Sequence, residues 1–264
     1  MEKKQEQTYY ILGAFVLVAL LFFGFDTKPS SQKTLEKSRV LNTPGFDIQT
    51  LQSEAKKDLK QDQLDYIETL ESQLQYVKTD SGKVELLKQL SGSWFQMQKP
   101  LLAGYYARQI AEIHQDATSW SIVGTTFASA LTQANLEEKD RIIARDQAVE
   151  AFENAISMEP AVVEHRVNQA LCYIETPDSA QPMKGVQMLA GLAKSHPESA
   201  LPPYHLARLA VKTGQMEKAR ERIEQALSID STNAKIACLA SDIYTSVNEP
   251  EKAGKWQGLC ATMK

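Results

Sequence analysis

A small-large-small stripe that returns at a nearly fixed interval constrains this chain more than any other feature. From Ala200 to Asn233 the sequence reads as two short amphipathic helices with a turn at Thr213-Gly214. On the second, Ala219, Ile223 and Ala226 stand at i, i+4 and i+7 and so share one face. A hairpin this short cannot bury its own apolar stripe and needs neighbours of the same kind. They are present: the stripe returns as Ala253, Gln257, Cys260 and, upstream, as Gly185, Leu189, Leu192, as Ala148, Phe152, Ala155 and more loosely as Ala103, Ala107, Ile110. From Ala148 onward the spacings are 37, 34 and 34 residues.

The punctuation repeats with the stripes. Pro160 and Pro197 follow their helices at the same place, where proline stops a repeat, and Ser231 replaces them in the next. On the leading helices, Trp120, Val123, Gly124 and Phe127 show the W-x2-L-G-x2-Y spacing, and Ala170 with Tyr173 shows its second half. In period, small contacts, aromatic positions and terminal proline the chain resembles the tetratricopeptide repeat (TPR) family. The resemblance covers residues 84–264, about five hairpins with the first and last degenerate. It implies an all-α solenoid of stacked hairpins, with first helices lining a concave groove that binds a protein or peptide.

Mapped onto that groove, the sequence offers Thr118, Ser121 and Thr125, then Glu164, Val167, Asn168 and Leu171. Tyr204, His205, Arg208 and Lys212 follow, then Lys235, Leu239 and Asp242. Arg208 and Lys212, four apart and so on one face, resemble half of the carboxylate clamp of chaperone-binding members. The Lys-Asn half is missing. Asn168, Tyr204, His205, Arg208 and Lys212 are the candidate partner-binding residues.

Ahead of the repeats the chain changes character three times. After a tail of residues 1–8, Tyr9 to Phe25 is a run of 17 positions without a charge. At 1.5 Å per residue it spans about 25 Å, within the range of a single transmembrane helix, and it is expected to be an uncleaved anchor. Residues 26–46, rich in Pro, Ser and Lys, read as a linker. Residues 47–80 read as amphipathic helices: either a cap on the open end of the solenoid or, through residues 48–77, a coiled-coil segment for homo-oligomers. Within the repeats, an insertion at 131–142 is expected to lengthen a second helix by about three turns, with Asn135 and Glu138 as its capping pair. Thr176 to Pro182 is a stiff exposed loop.

Chemistry is not indicated. The four histidines, His114, His165, His196 and His205, form no pair at i+3 or i+4, and no phosphate-cradling loop or G-x-S-x-G elbow occurs. No enzymatic activity, cofactor or metal is expected. A net charge of -4 gives no basic field for nucleic acid. Cys172, Cys238 and Cys260 lie in helical patterns where a small apolar side chain fits; Cys238 and Cys260 are placed to face each other across one hairpin, but all three read as core, without disulfide or zinc site.

The expected function is that of a single-pass membrane scaffold or adaptor. The alternatives are an oligomeric component of an envelope or secretion assembly and a chaperone or import-type receptor for peptide C-termini. Lys28, Lys33, Lys37 and Arg39, with the cysteines read as free, lean toward a cytoplasmic domain on the inner membrane. The habit of N-terminal bacterial anchors points to the periplasm instead.

Overall fold

The structure, a computed structural model, describes residues 47–261. The chain divides into compact units after Phe46, and all described residues belong to the second. They form twelve α-helices, and no strand occurs among them. Two lead: α1 (Ile48–Lys57) and α2 (Gln61–Tyr76). Five hairpins follow: α3 (Asp80–Gln96) with α4 (Pro100–His114), α5 (Ala117–Ala130) with α6 (Glu138–Met158), α7 (Val163–Glu175) with α8 (Lys184–Ser195), α9 (Leu201–Lys212) with α10 (Met216–Ile229), and α11 (Ala234–Ser246) with α12 (Pro250–Ala261). From α2 onward each helix packs on its neighbours in sequence, α1 packs on α4, and the first helices of successive hairpins touch along the row α5, α7, α9, α11. That pattern of local contacts is what a solenoid requires.

The repeating stripe is the seam. Ala148, Phe152 and Ala155 are fully buried, as are Ala219, Ile223 and Ala226, whereas in the last hairpin Gln257 is exposed and Cys260 half-buried. Small residues are needed where paired helices cross. In the first and last hairpins a serine takes that place and spends its hydroxyl across the seam: Ser91 Oγ donates to the Ala103 carbonyl at 2.9 Å and Ser241 Oγ to that of Ala253 at 3.2 Å.

Three hairpins close with the same turn. Gln98, Gly214 and Asn248 adopt left-handed φ of 59°, 71° and 60°. In each case the next amide bonds back to the carbonyl five residues earlier, Lys99 to Trp94, Gln215 to Ala210 and Glu249 to Tyr244, at 2.8 to 2.9 Å. This satisfies carbonyls that a helix end would otherwise leave open. The sequence marks the turn with glycine only at Gly214. The other two hairpins have longer connections at this place.

The first of these corrects an expectation. Helix α6 starts at Glu138, ten positions before Ala148, whereas α10 starts three positions before Ala219. The insertion thus adds roughly two turns of helix, not three. Its remainder is an irregular segment that Arg141 ties down, donating to the carbonyls of Leu131 at 2.7 Å and Gln133 at 3.0 Å. Nor is Asn135 the cap: Glu137 holds the N-cap position and makes no side-chain capping bond.

Helices α1 and α2 close the N-terminal end. Ala55, Ile67 and Leu70 are buried in one cluster with Leu87, Leu90, Trp94 and Leu102 of the first hairpin. The apolar face of residues 48–77 is therefore used within the chain. Among the described residues no helix is long and apolar enough to cross a membrane. The candidate anchor at 9–25 and the linker at 26–46 lie outside them.

The cysteines are a second correction. Cys238 and Cys260 form a disulfide across the last hairpin, with Cα atoms 4.7 Å apart. Cys172 alone stays a thiol, buried within α7. The pairing has a structural reason: Cys238 stands where Val167 and Tyr204 stand in the preceding repeats, 71 and 34 residues earlier. Val167 and Tyr204 lie in apolar clusters that extend into the following hairpin, and no described helix follows α12.

Candidate functional site

The first helices present their outward faces in register. Asn168, His205 and Leu239 are equivalent positions, as are Leu171, Arg208 and Asp242, and Glu175, Lys212 and Ser246. Not all the expected groove residues are available. Val167 is 1% exposed, because its short branched side chain sinks into the seam with Ala170 and Leu189. Asn168 and Leu171 stay half-buried, and Thr118 and Thr125 are exposed.

At its N-terminal end, on α5, the row is uncharged. No Asp, Glu, Lys or Arg occurs from Ala117 to Ala130. Two of its threonine hydroxyls are turned onto their own helix: Thr125 Oγ1 donates to the Ser121 carbonyl at 3.0 Å and Thr126 Oγ1 to that of Ile122 at 2.7 Å. What remains for a partner is methyl-rich surface, with Ile122 54% exposed. Sequence reasoning named Thr118, Ser121 and Thr125 but passed over Ile122; the unbroken absence of charge on a surface helix was the signal available.

Toward the C-terminal end the row becomes aromatic and basic. The rings of Tyr204 and His205 meet edge to face at 5.0 Å, and the Arg208 guanidinium lies 5.9 Å from the Tyr204 centroid. Arg208 Nη1 is 3.4 Å from His205 Nδ1, which places the acceptor lone pair of a neutral imidazole toward the arginine. Burial first, then the Arg208 and Lys235 charges, lower the His205 pKa to about 4. Histidine in the unfolded chain titrates near 6.5. Between these values the unfolded chain carries a proton that the folded chain refuses, so stability falls as pH drops through this window and is unaffected above it. His205→Gln is expected to flatten that stretch of the pH profile in urea unfolding; a profile of unchanged slope would remove this role.

The expected pair of Arg208 and Lys212 is not brought together as a clamp. Lys212 Nζ lies 3.5 Å from Glu175, its equivalent on the preceding hairpin. The cation that joins Arg208 is instead Lys235 at the start of α11, exposed and without an ion pair among the described residues. Reading charge down the ladder of equivalent positions would have found the Glu175 and Lys212 pair. Among the described residues no group of His, Cys, Asp and Glu converges as metal ligands would.

Comparison with known proteins bears on the fold. Residues 204–233, from Tyr204 through α10, match the tetratricopeptide repeat family. No curated protein matches the chain. Similar solved structures include MamA, residue 41 to its end, from Desulfovibrio magneticus RS-1, 14% identical over 67% of this chain and 93% of that one, with a TM-score of 0.40. A further MamA crystal structure is 12% identical over 66% of this chain and 93% of its own, with a TM-score of 0.41. Likeness at this level carries no argument, and the solenoid rests on the hairpins and on the matched repeat.

Proposed function

We propose that this chain, a tetratricopeptide-repeat protein by its 204–233 repeat and its ladder of like hairpins, is a non-catalytic scaffold. Residues 9–25 hold it at a membrane, and its concave face receives a segment of a partner protein. One observation carries the reading. The row of first helices passes from uncharged α5, with Ile122 exposed, to the cluster of Tyr204, His205, Arg208 and Lys235. A segment that suits this row places apolar side chains on α5 and one or more carboxylates at Arg208 and Lys235. The row is built on rigid helices, so little ordering cost falls on the receptor side. The linker at 26–46 would let the scaffold raise the concentration of its partner near the bilayer.

The disulfide bears on the proposed compartment. A disulfide between Cys238 and Cys260 persists where the surroundings are oxidising, which supports a solenoid on the periplasmic side of an inner membrane. It also removes two of the three cysteines from the argument for the cytoplasm, leaving the positive flank at Lys28 to Arg39 as the main feature that leans the other way.

Selection of random peptides on the full chain tests the groove. Peptides combining apolar residues with Asp or Glu are expected to be enriched, and Arg208→Glu with Lys235→Glu is expected to weaken them by about tenfold. Enrichment that ignores acidity, or equal binding to the double variant, would sink the reading.

A further inference from the structure

The edge of the solenoid that carries the turns, away from the concave row, holds a cavity of about 280 Å³. Three elements enclose it: α1, the turn from α3 into α4, and the inserted segment with the start of α6. Gln133 of the insertion clamps this arrangement, its Nε2 donating to the carbonyl of the left-handed Gln98 at 3.0 Å. Leu51, Ala55, Leu101 and Leu136 supply apolar walls.

The charged groups facing the cavity are unbalanced. Glu54, Asp58 and Asp140 line it against a single cation, Lys99, which is committed to Asp58 at 2.9 Å. The neighbouring Lys139 is 3.2 Å from Glu137, and Arg141 is held by two backbone carbonyls. Glu54 and Asp140 therefore have no ion pair or hydrogen bond among the described residues. Burial raises the Asp140 pKa, with Lys139 opposing and Glu137 and Glu54 adding to the rise. A carboxylate in that position is short of a cation.

The geometry points to a second docking site, on this turn edge, for a lysine or arginine side chain of a partner polypeptide: the apolar walls take its methylene stem, and Glu54 and Asp140 take its charge. The volume falls just below the range of drug-sized pockets and suits one long side chain. Long cationic side chains have this division, an apolar stem and a charged head. An apolar side chain would instead cover two carboxylates and leave them unpaired, and an acidic one would be repelled. The site shares no residue with the concave row, so it stands or falls separately from the groove.

The test uses the full-length chain with labelled methyl groups and an acetylated, amidated five-residue peptide bearing one central lysine. The lysine peptide and its arginine counterpart are expected to shift the methyl signals of Leu51, Ala55 and Leu136. Norleucine and glutamate versions are expected to leave them in place. Glu54→Gln with Asp140→Asn should weaken lysine-peptide binding by about tenfold or more, and Arg208→Glu with Lys235→Glu should not alter it. Absence of lysine-peptide shifts, equal shifts from norleucine, or unchanged affinity in the Glu54 and Asp140 variant would each overturn the site. Shifts that follow protein concentration without peptide would assign the cavity to a second copy of this chain and overturn it too.

Discussion

Phe152→Ala is expected to cost about 3–5 kcal/mol of stability, a large effect for one substitution in a chain of this size. Phe152 is fully buried, and its ring fills the notch left by Gly124 on the facing helix: a Cβ built there would meet the ring at 2.6 Å. The same device operates one step earlier, where Phe127 fills the notch of Gly104 on α4, again within van der Waals distance of any added Cβ, at 2.7 Å. Helices α4, α5 and α6 are therefore keyed together by two rings set into two glycines. Gly124→Ala decides between opposing effects. Alanine gains about 1 kcal/mol in helix propensity, but the Cβ overpacks the ring at about 1–3 kcal/mol, so net destabilisation is expected. Phe152→Leu should recover part of that loss, because the smaller side chain vacates the space the Cβ needs. Urea unfolding of the two single variants and the double variant measures the coupling. Strictly additive costs, or a Phe152→Ala cost below about 1 kcal/mol, would show that the notch does not hold the helices together.

Residues that must be small were the most legible part of the fold. Gly124, Ala148, Ala207 and Ala219 sit at helix crossings where nothing larger fits, and a repeat forces that requirement to recur at a fixed interval. The turns were less legible: Gln98 and Asn248 adopt the same left-handed conformation as Gly214, but their hairpins impose it through hydrogen bonds that propensity does not record. The candidate groove was legible in its elements and misread in its charges. Arg208 and Lys212 share a face on their own helix, and that local relation hid the longer one, in which Glu175 on the previous hairpin claims Lys212. The turn-edge cavity was out of reach, since it joins residues from Leu51 to Asp140 through an insertion whose path obeys no repeat.

Loss of the disulfide is expected to lower the stability of the last hairpin by about 3 kcal/mol, the usual scale for a closed loop of this length. Cys238 and Cys260 are 22 residues apart, and the bond ties the two helices of the last described hairpin together. Apart from that bond, α12 is held by the Ser241 hydroxyl on the Ala253 carbonyl, by Lys252 over the Tyr244 ring and by a small apolar contact. Ala253 is its one buried residue, with Trp256 packed at the margin of the cluster beneath, while Gly254 and Gly258 face open space. In the interior hairpins the following repeat contributes that packing; here a covalent bond takes its place. Cys238→Ser with Cys260→Ser, or reduction of the native chain, should make the amides of α11 and α12 exchange hydrogen ahead of those in α5 and α6. Uniform exchange along the ladder would contradict this. The same bond tests the proposed compartment. Burial pushes the Cys172 thiol up to about 12, so it does not react in the folded chain and counts only after unfolding. Acid-quenched cells, unfolded and labelled without reductant, should therefore yield one free thiol per chain if the solenoid lies in the periplasm. Three free thiols would place it in a reducing compartment and overturn that assignment, while leaving the groove and the turn-edge site to their own tests.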